Sequence, residues 1–284
     1  MILISDSGST KTDWVFLSDN EVVAQVKTQG LNPTQQTAET ITNILQQELT
    51  PLLPQETPEK IYFYGAGCAY NEANARIRKA LETIFPTTSQ IEINSDLLAA
   101  ARALCGHEEG IACILGTGSN SCYYNGKEIS DNIPPLGFIL GDEGSGATLG
   151  RLLVNGCLKR QLPQDISDKF LQEYDLNVAK ILEKVYREPM PGRFLAGLTP
   201  FLYENRKHPA IRAMLVNCFV DFFRHNSMAY RRSWLPIHIV GSIGRWFQEE
   251  IQEAADSLAL SIGKIMESPM KGLIEYHISN DQQE

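Results

Sequence analysis

The chain has 284 residues, 43% of them hydrophobic and 21% charged, which describes an ordinary folded protein large enough for two domains. Its net charge of -9 excludes a nucleic-acid or anionic-membrane surface as the main partner. No apolar run reaches the length of a membrane span, and Asp6 interrupts the first one too early for a signal peptide, so a cytoplasmic protein is expected.

In chain order, strands are predicted over residues 1–5, 13–17 and 21–28. A loop through Gly30-Leu31-Asn32-Pro33 leads to a helix near 35–49, with Ile41, Ile44, Leu45 and Leu49 on one face. A buried strand, Lys60–Tyr64, precedes a helix near 72–85 capped by Asn71. A strand at Gln90–Asn94 meets a helix at Leu97–Leu104, which Gly106 stops. The pattern then restarts at Ile111 with a strand pair turning at Asn125-Gly126. Helices are predicted near 144–159, 164–174, 177–186, 194–206 and 209–230, then strands at Ile237–Val240 and Gly263–Glu267. A last helix starts at Ser268-Pro269. Three strands, helix, strand, helix, strand, helix is an α/β layer extended by hairpins. The two halves are expected to join near 106–113.

Two turns stand out: Asp6-Ser7-Gly8-Ser9-Thr10-Lys11-Thr12 and Gly116-Thr117-Gly118-Ser119-Asn120. Each follows an apolar strand and runs into a second one. Glycine admits an anion close to the backbone, where successive N–H groups and hydroxyls ring phosphate oxygens. Matching Gly8-Ser9 with Gly118-Ser119 suggests a duplicated fold that grips one polyphosphate from both sides. There is no G-x-x-x-x-G-K-[ST] sequence, Gly65-Ala66-Gly67 lacks the third glycine of a dinucleotide fingerprint, and no nucleophile elbow occurs. The six cysteines are scattered in apolar segments without a C-x-x-C pair, as expected for reduced core thiols, and the five histidines form no metal-binding array.

Several residues have two readings each. Asp6 either holds magnesium through water beside the first turn or caps that turn. Asp96 is either a base at the carboxyl end of a strand or, like Ser95, a helix cap. Gly137-Phe138-Ile139-Leu140-Gly141-Asp142-Glu143-Gly144-Ser145-Gly146 is richer in glycine than capping requires, and Asp142 or Glu143 could accept hydrogen bonds from sugar hydroxyls. Val240-Gly241-Ser242-Ile243-Gly244 is either tight strand–helix packing or the turn on which an adenosine lies. Asn32 and Asn120 are amides for substrate recognition or turn residues.

Taken together, Asp6–Thr12, Asn94-Ser95-Asp96, Leu115–Asn120, Gly141–Gly146 and Val240-Gly241-Ser242 resemble, in order, the actin/Hsp70/sugar-kinase superfamily. More narrowly the chain is similar to the BadF/BadG/BcrA/BcrD-type ATPase family, in its N-acetylglucosamine kinase-like branch. The resemblance implies two ribonuclease H-like (actin-like ATPase) domains with a central nucleotide cleft. Their expected bounds are 1–110 and 111–284, the second carrying a helical insertion and a last helix able to pack back on the first. It implies ATP and Mg²⁺ as cofactors, an amino sugar as substrate with N-acetylglucosamine foremost, and Asp6 as the magnesium residue. Gly8, Ser9, Thr10, Lys11, Gly116, Thr117 and Gly118 would bind phosphate, and Gly241, Ser242 and Gly244 would face adenosine. Asp96 would take the hydroxyl proton, and Asn32, Asn120, Gly137, Asp142 and Glu143 would line the sugar pocket. The adenosine turn reads Gly-Ser-Ile-Gly where the family has a double glycine. The helical second half offers surface for a homodimer. An ATPase that activates a partner enzyme and a non-enzymatic nucleotide switch are the alternatives.

Overall fold

Short strands alternate with helices through most of the chain, and in a computed structural model they assemble into two sheets belonging to two separate units. The structure describes residues 1–8, 11–54, 56–68 and 71–281. The first unit comprises Met1–His107 and Pro269–Glu284, and the second Glu108–Ser268.

The first unit contains β1 (Ile2–Ser7), β2 (Lys11–Ser18), β3 (Glu21–Gln29), β4 (Lys60–Gly65) and β5 (Gln90–Ser95) in the order β3-β2-β1-β4-β5. β1 pairs antiparallel with β2 and parallel with β4, and β4 runs parallel to β5. Alternation along the strands gives the sheet two apolar faces. Leu3, Trp14, Phe16, Ile61 and Phe63 pack on Ile41 and Leu45 from α1 (Ala38–Ile44) and the turn after it, and on Ile77 and Leu81 from α2 (Asn71–Ile84). Ile2, Ile4, Val15, Tyr62 and Tyr64 pack on Ala99 and Ala103 from α3 (Asp96–Cys105) and on Leu273. Each large apolar side chain so buried contributes about 1.5–3 kcal/mol.

The second unit contains β6 (Glu109–Leu115), β7 (Ser119–Asn125), β8 (Ile129–Asp131), β9 (Ile237–Val240) and β10 (Ile262–Met266). Its sheet order is β10-β9-β6-β7-β8. Read from the other edge this is the order of the first sheet, with the same senses of pairing. The fold is therefore a duplicated actin-like one. The insertion between β8 and β9 supplies α4 (Gly137–Leu140), α5 (Gly146–Leu158), α6 (Gln164–Glu173), α7 (Val178–Tyr186), α8 (Pro191–Ala196), α9 (Thr199–Glu204) and α10 (Pro209–His225). Together with α11 (Ser242–Trp246) and α12 (Gln248–Ser257), these helices and β6 and β9 enclose one core around Phe170, Phe201, Phe219, Phe222 and Phe247.

The chain's last helix, α13 (Met270–Asp281), belongs to the first unit and lies against α3. Small residues permit the contact: a Cβ on Gly272 would sit 2.3 Å from the Ala103 carbonyl oxygen.

Some elements differ from the sequence reading. The helix expected at 35–49 starts at Ala38 behind the Thr37 cap and widens to a π turn over Leu45–Leu49. The single helix expected at 194–206 is two, α8 and α9, because Pro200 brings no N–H to continue the ladder. The helix expected to reach residue 230 ends at His225, followed by a 3₁₀ turn over Ser227–Tyr230. The strand pair expected to turn at Asn125-Gly126 is β7 and β8, whereas the short helix α4 was not foreseen because four residues are too few to show a period.

Candidate active site

In the first unit the parallel strands β1, β4 and β5 end together: Asp6 is level with Tyr64, and Tyr64 with Asn94. The Ser95 hydroxyl caps α3 by accepting the Leu98 N–H at 3.2 Å. That leaves Asp96 as the first helical residue, with one carboxylate oxygen accepting the Leu97 N–H at 2.8 Å. Burial, then the nearby Asp96 and Asp13 carboxylates, push the Asp6 carboxyl up to about 7, with Lys11 pulling the other way. Burial also raises Asp96, opposed by the Leu97 N–H. Two desolvated carboxylates at strand ends, with no arginine or lysine paired to either among the described residues, are an arrangement that a divalent cation or a transferable proton would relieve.

The first turn is tightly braced. The Gly8 N–H donates to the Lys11 carbonyl at 3.0 Å, and the buried Ser7 hydroxyl lies 2.7 Å from that of Thr12. Ser9 and Thr10 lie outside the described residues. Lys11 is ion-paired with Asp13 at 2.9 Å. Asn32 makes an Asx turn: its Oδ1 accepts from Thr34 N–H at 3.0 Å and from Thr34 Oγ1 at 2.7 Å. That side chain rests on Gly67, which has φ +83 and where a Cβ would come within 2.6 Å of Asn32 Oδ1.

In the second unit three glycine-rich stretches far apart in sequence converge at the end of β6. The Gly116 N–H donates to the Gly118 carbonyl at 3.0 Å, closing the second turn. Its outer carbonyls accept from the start of α5: Gly146 N–H to Gly116 O at 2.8 Å and Ala147 N–H to Thr117 O at 3.0 Å. Gly241 comes in from β9 with φ +125, and a Cβ there would lie 2.2 Å from the Leu115 carbonyl oxygen. Only glycine fits such an approach.

The loop before α5 turns sharply, with positive φ at Gly137, Asp142 and Gly144. This delivers the Asp142 carboxylate beside Gly118, its Oδ2 3.0 Å from where a Cβ would stand. Burial raises the Asp142 carboxyl, while hydrogen bonds from the Ser119 and Gly137 N–H groups pull it down. Asn120 lies next along β7, its Oδ1 accepting from the Ser121 N–H at 2.9 Å and from Asn132 Nδ2 at 3.1 Å. The tertiary structure thus brings Gly118, Ser119, Gly137 and Asp142 together, with Asn120 the next residue along β7. Glu143 takes a different direction, bonded to His225 Nδ1 at 2.8 Å. Burial raises Glu143, but hydrogen bonds from His225 and Asn226 outweigh it and hold the carboxyl below its ordinary value.

On the other side of Gly118 in sequence, Gly116 and Thr117 line a cavity of about 260 Å³ with Ser242, Ile243, Trp246, Arg193, Ala196, Gly197, Thr199 and Pro200. Gly244 is not part of the lining; it packs behind it, where a Cβ would meet Ile239 Cγ2 at 2.5 Å. Arg193 and the 196–200 stretch were not singled out in the sequence. They sit in a helical insertion with no motif, and only the break between α8 and α9, signalled by Gly197 and Pro200, hinted at them. A larger depression of about 710 Å³ along α12 and β10 is edged by Glu249, Glu253 and Asp256, which would repel a polyphosphate.

No family profile and no curated protein sequence matches the chain. Among solved structures, a Porphyromonas gingivalis protein provisionally described as an N-acetylglucosamine kinase superposes with a TM-score of 0.95 at 46% identity, over 99% of this chain and 100% of that one. A Chromobacterium violaceum protein with the same provisional description has a TM-score of 0.75 at 17% identity, over 97% of this chain and 98% of that one. MreB 5 of Spiroplasma citri, solved with AMPPNP, has a TM-score of 0.62 at 9% identity, over 99% and 97%. The last two show the fold alone. The fold is a duplicated actin-like one of two repeated units. Within that class the chain belongs to the BadF/BadG/BcrA/BcrD-type ATPase family, in its N-acetylglucosamine kinase-like branch.

Proposed function

We propose that the protein is an ATP-dependent kinase acting on an amino sugar, N-acetylglucosamine first. The observation that carries this reading is in the second unit. A glycine-rich turn has a cavity of about 260 Å³ against Gly116 and Thr117, and at Gly118 a carboxylate held by two backbone N–H groups. A pure ATPase has no use for Asp142 there, whereas a sugar hydroxyl donates to a fixed carboxylate. The 46% identical relative carries the same provisional description.

In this reading a sugar hydroxyl oxygen attacks the γ-phosphorus of ATP. The bond to the bridging oxygen breaks, ADP leaves with that electron pair, and Asp96 takes the hydroxyl proton. A raised carboxyl suits a base working near neutral pH. The under-neutralised carboxylates of Asp6 and Asp96 fit a magnesium ion, which Asp6 would hold through water. When bound, the ion would offset phosphate charge. Gly8 and Lys11 in the first unit and Gly116 to Gly118 in the second would meet phosphate, while Asn32, Asn120, Gly137 and Asp142 would meet the sugar. All six cysteines are buried, so none is presented to a metal cluster shared with a partner.

The test is ADP release over a panel including N-acetylglucosamine, glucosamine and N-acetylmuramate, with products identified by mass spectrometry. Sugar-dependent release with a phosphorylated sugar is expected. Hydrolysis at the same rate with and without sugar would overturn the kinase reading.

A further inference from the structure

The cavity against Gly116 and Thr117 has an unusual lining for a site that must recognise a nucleoside. Its side chains are Trp246, Ile243, Pro200, Ala196, Thr199, Ser242, Thr117 and Arg193, and none is an amide or a carboxylate. Adenine and guanine differ in the donor and acceptor pattern of their edges, and amide and carboxylate side chains are the groups that read such patterns by paired hydrogen bonds. Two of the polar groups present are turned to the protein's own backbone. The Thr199 hydroxyl donates to the Ala196 carbonyl at 2.7 Å, and the Gly197 N–H donates to the Arg193 carbonyl at 3.0 Å. Pro200 has no N–H to offer.

What the cavity does offer is an aromatic face. Trp246 is 39% exposed although its neighbour Phe247 is fully buried. It packs against Tyr203, with ring centroids 5.8 Å apart, and Tyr203 in turn carries the Arg206 guanidinium 4.1 Å above its ring. A braced, half-open indole beside a phosphate turn is a stacking platform, and stacking tolerates any base because every base has a π-face. Arg193 is exposed and makes no side-chain hydrogen bond or ion pair among the described residues, so its charge is available to an anion in the cavity that it lines with Gly116 and Thr117.

We propose that this cavity takes purine nucleoside triphosphates as a class, holding the base by stacking on Trp246 and the polyphosphate by Arg193 and the turn, without discriminating adenine from guanine or hypoxanthine. This rests on the assignment of the cavity to the nucleotide made above. An apolar pocket separates similar ligands by about 10–200-fold, whereas a site built to hydrogen-bond one of them reaches about 10⁴–10⁵.

The experiment is calorimetric titration of the full chain, with magnesium chloride, by ATP, GTP and ITP, followed by turnover of each with N-acetylglucosamine. Dissociation constants spread over less than about 100-fold are expected. Trp246→Ala should weaken all three by a common factor of roughly tenfold, and Trp246→Phe should restore most of it. Arg193→Gln should weaken all three equally. A preference for any one base beyond about 100-fold, or a change in the ranking of bases in Arg193→Gln, would overturn the proposal. Comparable binding of all three without any sugar phosphate would uphold it and sink the sugar-kinase reading. No binding of any of the three would overturn both.

Discussion

Asp96 stands one position inside α3, relieved of capping by Ser95. Replacing it with Asn keeps the shape and the acceptor for the Leu97 N–H, and it removes a desolvated charge. Stability should hold or rise slightly, while turnover with ATP and N-acetylglucosamine should fall by about 10²–10⁴, the usual loss on removing a general base. Thermal melts and steady-state rates on the same preparation check this, and a rate within a few-fold of wild type would return Asp96 to a purely structural role. Gly241 makes the opposite case, where backbone rather than charge is decisive. With φ +125 and the Leu115 carbonyl in the way, Gly241→Ala should cost about 1–3 kcal/mol from backbone strain alone, and more from the displaced turn. Urea unfolding should show it, accompanied by weaker nucleotide binding. An undiminished midpoint would mean that the second turn yields easily.

At the scale of elements, β10 joins its sheet with a register shift between Ile262 and Ile265. His238 of β9 fills the irregularity: its Nδ1 accepts the Lys264 N–H at 2.9 Å, and a Cβ on Gly263 would strike the ring at 2.4 Å. Burial, then the Lys264 charge, lower the His238 pKa below its ordinary value. The sign follows from linkage. With the folded pKa depressed, the unfolded chain binds the proton first, so this group's support is complete at pH values above the unfolded pKa of about 6.5. It is lost as pH falls from there toward the folded value. His238→Asn can keep the acceptor without titrating, so its melting temperature should fall less than that of wild type between pH 7.5 and 5.5. His238→Leu should lose about 1–2 kcal/mol at pH 7.5 for the orphaned N–H. Parallel pH profiles for wild type and the Asn variant would remove His238 from the account.

For the whole molecule, the chain leaves the first unit after His107 and returns to it at Pro269. The returning helix α13 closes a face of the first sheet: Leu273 is fully buried, and His277 Nε2 lies 2.9 Å from the Tyr64 hydroxyl, which also accepts from Arg102 Nη1 at 2.7 Å. A chain ending at Ser268 would expose this face and strand buried polar groups. Its first unit should melt separately and earlier, with hydrogen exchange rising first in β1, β4 and α3. A truncated chain that melts in one transition at the wild-type temperature would show that α13 contributes nothing to the first unit.

The duplicated strand pattern, the two glycine-rich turns and the Gly141–Gly146 stretch were legible in the sequence because each is local: periodicity, glycine density and the strand–turn–strand context all lie within about ten residues. Asp6 and Asp142 could be picked out for the same reason, as carboxylates beside glycine-rich turns, and Asp96 as a carboxylate at the carboxyl end of a strand. What surrounds each of their side chains was not all local. That Glu143 turns to His225 while Asp142 turns to Gly118, and that Gly241 lies against Leu115, depends on segments up to about 125 residues apart in sequence. Arg193 and the wall of residues 196–200 carried no motif at all, because an apolar lining looks like core until a cavity is left beside it. Short-range pattern determined which residues could bind phosphate; only long-range packing decided which of their polar atoms remain available to do so.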